Sequence, residues 1–292
     1  MEKVVLSASD DILNPCLDPV FKALFTKNTP AAQFSLKAFL SAVLERKITD
    51  ATVIQNEPAV EDAREKQIRF DVACKFNTGE LVDIEMNISA DTCEPKRLEY
   101  YTSRLLLSQG IKGLEYKELK NTYQIVLVIN GRLCDDNHFL HHFDYSDREL
   151  DISLQGGTKI ITMEASKLEE KPVLEETSIE RWLMWFKYAV DKNKRDVVNK
   201  IIESEEGIKM ATKTLLSFSK DEVEYFNKWE IEKSEQAVAL YERSLEVAEE
   251  RGVKQGIEVG IEQVAKNMLS AGVDINIISK TTGLPVEKIQ QL

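Results

Sequence analysis

The stretch of sequence that decides the fold is residues 71–87, DVACKFNTGELVDIEMN. On both sides of the short polar segment NTG its side chains alternate between apolar and polar, which is the period of a β-strand. A three-residue turn at NTG pairs Phe76 with Glu80, and further out the same register pairs Asp71 with Glu85. The sequence therefore predicts a β-hairpin in which two carboxylates lie directly opposite each other.

Strand alternation also divides this hairpin into two faces. One face is apolar, and we predict that it is buried. The other carries acids and one amide: Asp71, Asp83, Glu85 and Asn87. Opposed carboxylates about 5 Å apart at the β-carbon repel unless a cation lies between them, and carboxylate oxygens are ligands that Mg²⁺ prefers. Two hypotheses are open: a metal site held by Asp71 and Glu85, or an ordinary solvent-facing side of a hairpin.

Helical and strand patterns surround this hairpin in a definite order. The predicted elements are helices over residues 19–28 and about 30–45, strands near 51–56, 67–76 and 81–89, a helix over 95–109, a strand over 123–130, a hairpin-like stretch at about 143–163, and helices from about residue 179. The run YQIVLVIN at 123–130 is nearly continuous in apolar residues, as in a strand at the centre of a sheet. The core order is helix, three strands, helix, strand.

Five short sequence motifs follow that order: DPVFKALF at 18–25, RFDV at 69–72, VDIEM at 82–86, RLEYY at 97–101 and YQIV at 123–126. In these motifs the chain resembles the PD-(D/E)XK nuclease superfamily, in the branch of Rpn or transposase-like nucleases, over roughly residues 14–165. The resemblance implies an α/β fold of restriction-endonuclease type. Its core has the order α-β-β-β-α-β and a mixed central sheet flanked by helices, and a helical C-terminal extension follows.

The resemblance also implies a function: a DNA endonuclease of the recombination-promoting type that hydrolyses phosphodiester bonds. Asp71 and Glu85 match the family's two acidic ligands for Mg²⁺ or Mn²⁺. Asn87 is the third candidate catalytic residue, where the superfamily has Lys and the Rpn branch usually has Gln; Asn lacks the charge of the first and one methylene of the second. A catalytically weakened protein that binds DNA or a protein partner without cleavage is the alternative.

Several other residues in or near these motifs are predicted to have a structural role or to face solvent. Asp18 is expected to cap the first helix rather than join the site. Lys96 and Arg97, which could supply the missing positive charge, are expected to point to solvent. The three histidines lie in HFLHH at 138–142, where the first and last would share a helical face. Because no Cys or carboxylate at a matching spacing completes a metal site there, we exclude them.

Composition limits the classes of partner. With 38 basic and 50 acidic residues the net charge is −12, which argues against broad wrapping of DNA but leaves room for a local DNA site. The four cysteines are widely spaced and predict neither a disulfide framework nor a zinc site. No run of eighteen apolar residues and no export signal are present, so we expect no membrane partner and a reducing cytoplasm.

The chain is predicted to have four parts: a nuclease-like domain at 1–170, a helical region at 171–228, a charged helix at 229–264 that is either a coiled coil or a flexible linker, and a short helical pair at 265–292. Gly252, Gly256 and Gly260 recur at a spacing of four, which favours either a frayed linker or a close helix–helix approach. At 265–292, Gly272 and Gly283 predict helix stops and Asp274 predicts a helix cap, so the last pair is predicted to be a helix-turn-helix or a small capping or dimerising pair. The C-terminal helices would then join copies of the chain or position DNA.

Overall fold

The structure is a computed structural model that describes residues 4–55, 68–110, 115–147 and 149–292. The chain divides into two compact units, Met1–Phe226 and Asn227–Leu292, and each is considered by itself. The predicted division into four parts is finer than this and stays a prediction. Part of the strand expected at 51–56, and the first residue of the strand expected at 67–76, fall outside the described residues.

A mixed sheet forms the centre of the first unit. Its strands in the described ranges are β1 (Thr52–Val53), β2 (Val72–Lys75), β3 (Leu81–Ser89), β4 (Thr122–Asn130), β5 (Leu140–Phe143) and β8 (Thr158–Glu164), while β6 (Ser146–Asp147) and β7 (Ile152–Ser153) pair with each other. The order across the sheet is β1-β2-β3-β4-β8-β5. Strands β3, β4 and β8 run parallel, and β1, β2 and β5 run antiparallel to their neighbours. This is the predicted α/β architecture.

Strand β4 is buried on both faces along eight of its nine residues, as its apolar run predicts. A helix on each side accounts for this burial. Helix α3 (Pro95–Leu107) packs on one face, where Leu98, Val126 and Val128 belong to one hydrophobic cluster. Helices α1 (Asp18–Thr26) and α4 (Ser178–Tyr188) contact β2 and β4 respectively.

Buried aromatic side chains from α1, α4 and α2 (Pro30–Val43) form one cluster. Its closest ring pairs join Trp185 to Phe186, Phe21 to Phe25 and Phe39 to Trp182, with centroids 5.0, 5.3 and 5.3 Å apart. Edge-to-face pairs at such distances add to the free energy gained by burying the rings. Helices α5 (Arg195–Ser204) and α6 (Glu206–Leu216) complete this layer.

The hairpin of β2 and β3 has the register that its turn predicts. Phe76 N donates to Glu80 O at 2.9 Å, and Gly79 has a φ of 91°, a backbone conformation that glycine adopts readily. From this turn outward Lys75 pairs with Leu81 and Val72 with Ile84. One further step in the same register brings Asp71 opposite Glu85.

The hairpin-like stretch predicted at about 143–163 is only partly correct. Strands β6 and β7 do form a small antiparallel pair, but β8 joins the main sheet beside β4. The backbone groups along the outer edge of a buried central strand need partners, and β8 supplies them. Strand β5 then pairs antiparallel with β8 and lies at the edge.

The second unit is helical. Helix α7 (Lys220–Ser270) continues into it, and α8 (Ile275–Thr282) and α9 (Val286–Ile289) follow. Ala265, Ile278 and Ile289 form its small apolar core. The predicted helix signals are confirmed, because Gly272 and Gly283 have φ of 79° and 75°, and the side chain of Asp274 accepts from Asn276 N.

Helix α7 runs without a break through Gly252, Gly256 and Gly260, so the structure has a helix where a frayed linker was one expectation. Exposed apolar residues recur along it at multiples of seven residues: Ile231, Val238, Leu245 and Val259. A coiled-coil seam has two apolar positions in every seven residues, of which this register supplies one, and the predicted joining of copies stays a prediction. Among the described residues, no helix combines the length and the apolar character needed to cross a bilayer.

Candidate active site

Two carboxylates are fixed at the open end of the β2–β3 hairpin by reciprocal hydrogen bonds. Asp71 N donates to Glu85 Oε1 at 3.2 Å, and Met86 N donates to Asp71 Oδ2 at 3.0 Å. Each side chain therefore reaches across to the backbone of the other strand. The Glu85 side chain is 3% exposed and the Asp71 side chain 14% exposed. The carboxylates that the sequence predicts to face each other are brought together here.

Burial dominates the electrostatics of this end of the hairpin. It raises the pKa of Asp71 to about 6 and the pKa of Glu85 to about 8. The negative charge of Asp71 raises the pKa of Glu85 further. Burial also raises the pKa of Asp83 well above its ordinary value, and the neighbouring charge of Glu85 adds to this effect. Holding all three carboxyl groups ionised here costs free energy that a bound cation would offset.

The acidic face of the hairpin is covered by the protein, so the expectation of a solvent-facing side is wrong. Asp83 and Asn87, on either side of Glu85, are 1% and 7% exposed. Asp83 Oδ2 lies 3.5 Å from the side-chain amide of Gln124, whose oxygen accepts from the hydroxyl of Thr102 on α3 at 2.6 Å. Helix α3 and strand β4 bury these polar groups together with the apolar core.

Two basic side chains reach the pair from separate helices. Lys22 Nζ on α1 lies 3.2 Å from Asp71 Oδ1 and 2.6 Å from Asp18 Oδ1. Arg97 Nη2 on α3 lies 3.2 Å from Glu85 Oε2. The predicted solvent orientation of Arg97 is therefore wrong, whereas Lys96 is exposed as expected.

Asp18 does not cap α1, contrary to prediction. It is itself the first helical residue, Leu17 holds the cap position, and no side-chain cap hydrogen bond forms. The Asp18 carboxylate instead pairs with Lys22 one turn along and interacts with the side chain of Asp71. Lys22 was missed, although its spacing of four from Asp18 in DPVFKALF places both on one face of the helix.

The profile of the family described as PD-(D/E)XK nuclease family transposase matches residues 15–247, which is most of the chain. The chain belongs to the PD-(D/E)XK nuclease family. Neither the curated proteins nor the solved structures gave a significant match.

PD-(D/E)XK nucleases usually use divalent metals, and the residues of this PD-(D/E)XK protein fit such an ion. Asp71 and Glu85 supply hard oxygen ligands. Mg²⁺ is commonly bound by one or two carboxylates, while water and substrate phosphates take its other positions. Burial raises the pKa of both carboxyl groups even though Lys22 and Arg97 lie beside them, so a further cation at this pair would be favourable. These two residues would hold the metal.

A second group of ligand types lies outside this pair. In the described part of the chain, the one set of three potential ligands within 4.8 Å of one another is Cys134, His141 and Glu164. The expectation that no Cys or carboxylate accompanies the histidines is therefore wrong. Residues 140–143 form a strand rather than a helix, so spacing along the sequence was the wrong guide, and His138 and His142 are exposed.

We predict that Glu85→Gln removes the effect of metal on stability without destabilising the metal-free protein. The pKa of Glu85 is raised from 4.5 to about 8 in the folded protein. Ionising Glu85 therefore lowers the free energy of unfolding progressively as the pH rises above 4.5, and a neutral Gln removes this cost at neutral pH. At a metal concentration a hundredfold above Kd, the free energy of unfolding of the wild type should rise by about 2.7 kcal/mol. The variant should gain much less, and in EDTA it should unfold at no lower temperature than the wild type.

Thermal unfolding with and without Mn²⁺ measures both effects. The matched control is Glu99→Gln, since Glu99 is an exposed acid on α3. The Glu99→Gln variant should be stabilised by Mn²⁺ as much as the wild type. If Mn²⁺ stabilised Glu85→Gln as much as the wild type, the assignment of Glu85 as a ligand would be contradicted.

Proposed function

We propose that this chain is a metal-dependent DNA endonuclease that hydrolyses phosphodiester bonds, with Asp71 and Glu85 holding Mg²⁺ or Mn²⁺. The observation that carries the proposal is the convergence of these two buried carboxylates, each bonded to the backbone of the opposite strand. Membership of a family described as nuclease and transposase supports DNA as the substrate and recombination of mobile elements as the setting. The net charge of −12 favours a local contact with DNA over extensive wrapping.

Bound at this pair, a divalent ion supplies positive charge for the phosphate and lowers the pKa of water. The chain's own residues prepare the place for it. The two backbone N–H groups hold the carboxylates of Asp71 and Glu85 in fixed orientations, so little reorganisation is needed when charge develops. Burial of the face by α3 limits access of water to the carboxylates and strengthens their interaction with any cation.

The third role, a positive charge near the phosphate, is one that Asn87 cannot fill. Asn87 is buried two residues after Glu85 on the same face and can donate or accept a hydrogen bond only as a neutral amide. We assign the positive charge to Lys22, whose ammonium already lies beside Asp71. Asn87 would then orient neighbouring groups through its neutral amide. The lysine that the superfamily places on the strand, at the position of Asn87, would here come from helix α1.

A catalytically weakened protein remains the second candidate. Asn87 stands in place of Lys or Gln, and the Arg97 guanidinium occupies one oxygen of Glu85. Such a protein would bind DNA at this face and leave it intact.

We predict that purified protein nicks supercoiled plasmid only with Mg²⁺ or Mn²⁺, and that Asp71→Ala and Glu85→Ala each abolish nicking. Removing either carboxylate takes away half of the protein's ligands for the ion. Gel electrophoresis of the plasmid measures the reaction, and Glu99→Ala controls for loss of an exposed acid on α3. Nicking that survives both changes would refute the site. DNA binding without nicking by the wild type would favour the second candidate.

We also predict that Lys22→Met lowers the cleavage rate about a hundredfold, because one donor aimed at the developing charge is lost. Metal binding should be unchanged or tighter, since Lys22 competes with a cation for Asp71. Single-turnover cleavage and Mn²⁺ titration measure the two effects separately. Lys75→Met, which changes an exposed lysine on β2, is the matched control. A parallel loss of metal binding in Lys22→Met would show that Lys22 only supports the structure of the site.

A further inference from the structure

Cys134, His141 and Glu164 are gathered by sheet pairing and a folded-back loop. His141 on β5 lies opposite Thr162 on β8, so His141 and Glu164 project from the same face of the sheet. The loop after β4 is held to the end of β8, because Leu133 N donates to Glu164 Oε2 at 2.7 Å. Cys134 N donates to Glu164 Oε1 at 3.4 Å. The three ligand atoms come from a loop and two strands and lie within 4.8 Å of one another.

The surroundings of His141 point to a cation at this place. Its Nε2 lies 2.9 Å from Asp136 Oδ2, which orients the ring as carboxylates orient metal-binding histidines. The other nitrogen, Nδ1, is buried without a hydrogen-bond partner and lies 3.6 Å from Glu164 Oε1. When Nε2 carries the proton, Nδ1 directs a lone pair at a carboxylate oxygen. Two buried acceptors facing each other are unfavourable unless a positive charge lies between them.

The separation between the histidine nitrogen and the glutamate oxygen fits a tetrahedral transition metal. With metal–nitrogen and metal–oxygen bonds of about 2.0–2.1 Å, two ligand atoms at the tetrahedral angle are about 3.3 Å apart. The separation of His141 Nδ1 and Glu164 Oε1, 3.6 Å, is close to this value. A thiol, an imidazole and a carboxylate are also the ligand types that Zn²⁺ takes from proteins.

We propose that Cys134, His141 and Glu164 bind a transition-metal ion of the Zn²⁺ class. On binding, the Cys134 S–H bond breaks, its proton passes to solvent, and a metal–sulfur bond forms. Three protein ligands leave the fourth tetrahedral position to water. A cavity of about 390 Å³, lined in part by Leu133, Cys134, Phe143 and Thr162, gives the ion a route to the site. The ion would tie the loop after β4 to the end of β8.

This site is distinct from the pair of Asp71 and Glu85. Asn87, Val128 and Glu164 lie side by side on β3, β4 and β8, so the two sites share one sheet face, and Glu85 is separated from Glu164 by at least two strand spacings, about 10 Å. Thiolate and imidazole ligands select Zn²⁺ and its neighbours, whereas carboxylates and water suit Mg²⁺. Metal binding at Cys134, His141 and Glu164 therefore does not depend on whether the protein cleaves DNA.

Two other occupants could supply the positive charge. Lys167 Nζ lies 2.9 Å from Glu164 Oε1, and its side chain is 1% exposed, so it balances the Glu164 charge. It gives His141 Nδ1 no partner, however, and a carboxylate oxygen can accept from Lys167 while it binds a metal. The second occupant is a proton, which would turn His141 into a cation between Asp136 and Glu164. In either case the protein would bind no metal here.

Titration of the chelator-treated, full-length protein with Co²⁺ separates these occupants. We expect one Co²⁺ per chain in this site, with visible absorption of tetrahedral cobalt and a thiolate-to-cobalt band in the near ultraviolet that Zn²⁺ abolishes. Cys134→Ser should lose the thiolate band, and His141→Ala should lose high-affinity binding. Asp136→Asn should keep the band and bind Co²⁺ about tenfold more weakly, because it only orients the histidine.

Two variants and one measurement control for misfolding and for Co²⁺ bound at the pair of Asp71 and Glu85. His142→Ala changes the neighbouring exposed histidine on β5 and should bind Co²⁺ as the wild type does. Asp71→Ala should keep the thiolate band, and far-ultraviolet circular dichroism confirms that each variant is folded. No thiolate band in the wild type would overturn the proposal in favour of Lys167 or a proton. A band that survives Cys134→Ser would overturn it by showing that a different cysteine binds the ion.

Discussion

The rest of the site depends on the antiparallel register of β2 and β3. Because the chain turns at residues 77–79, Asp71 comes opposite Glu85 and both side chains project from the same face of the sheet. A slip of one residue in either strand would move one carboxylate to the apolar face and break the reciprocal bonds to the backbone. Helix α3 and strand β4 then bury this face, which makes unbalanced negative charge expensive. Register and burial together make the hairpin end attract cations.

The same sheet face offers two chemically different environments. Near β2 and β3 the candidate ligands are carboxylates, and the nearby positive charges are a lysine from α1 and an arginine from α3. Near β5 and β8 the candidate ligands are a thiol, an imidazole and a carboxylate, with an aspartate behind the histidine. The first environment suits an ion that keeps water and exchanges readily, as phosphate chemistry requires. The second suits an ion that holds a loop in place.

The sequence predicted the parts of this structure that short-range chemistry determines. The hairpin register followed from the turn and from strand alternation, and the helix ends at Gly272 and Gly283 followed from glycine's tolerance of positive φ. Residue periodicity supplied the order of the core elements, and the family likeness supplied their arrangement in one mixed sheet flanked by helices. The covered acidic face could not be predicted from alternation, because polar residues on a strand look alike whether water or a helix lies above them.

The side-chain positions that the sequence did not predict share a physical reason. Lys22 and Arg97 reach the carboxylates from helices far apart in the sequence, and only the tertiary packing decides which basic side chain turns inward. Cys134, His141 and Glu164 meet because β5 pairs with β8, a contact that the predicted hairpin at 143–163 left out. Once β8 is placed beside β4, the loop from β4 must pass over the end of β8, and the three ligands come together.

Anomalous X-ray diffraction from crystals of the protein soaked in Mn²⁺ tests most directly whether Asp71 and Glu85 share one cation. The account predicts an anomalous peak within bonding distance of one oxygen of each carboxylate, with the Arg97 guanidinium displaced from Glu85. Mn²⁺ bound elsewhere, with Asp71 and Glu85 still paired only to Lys22 and Arg97, would contradict it.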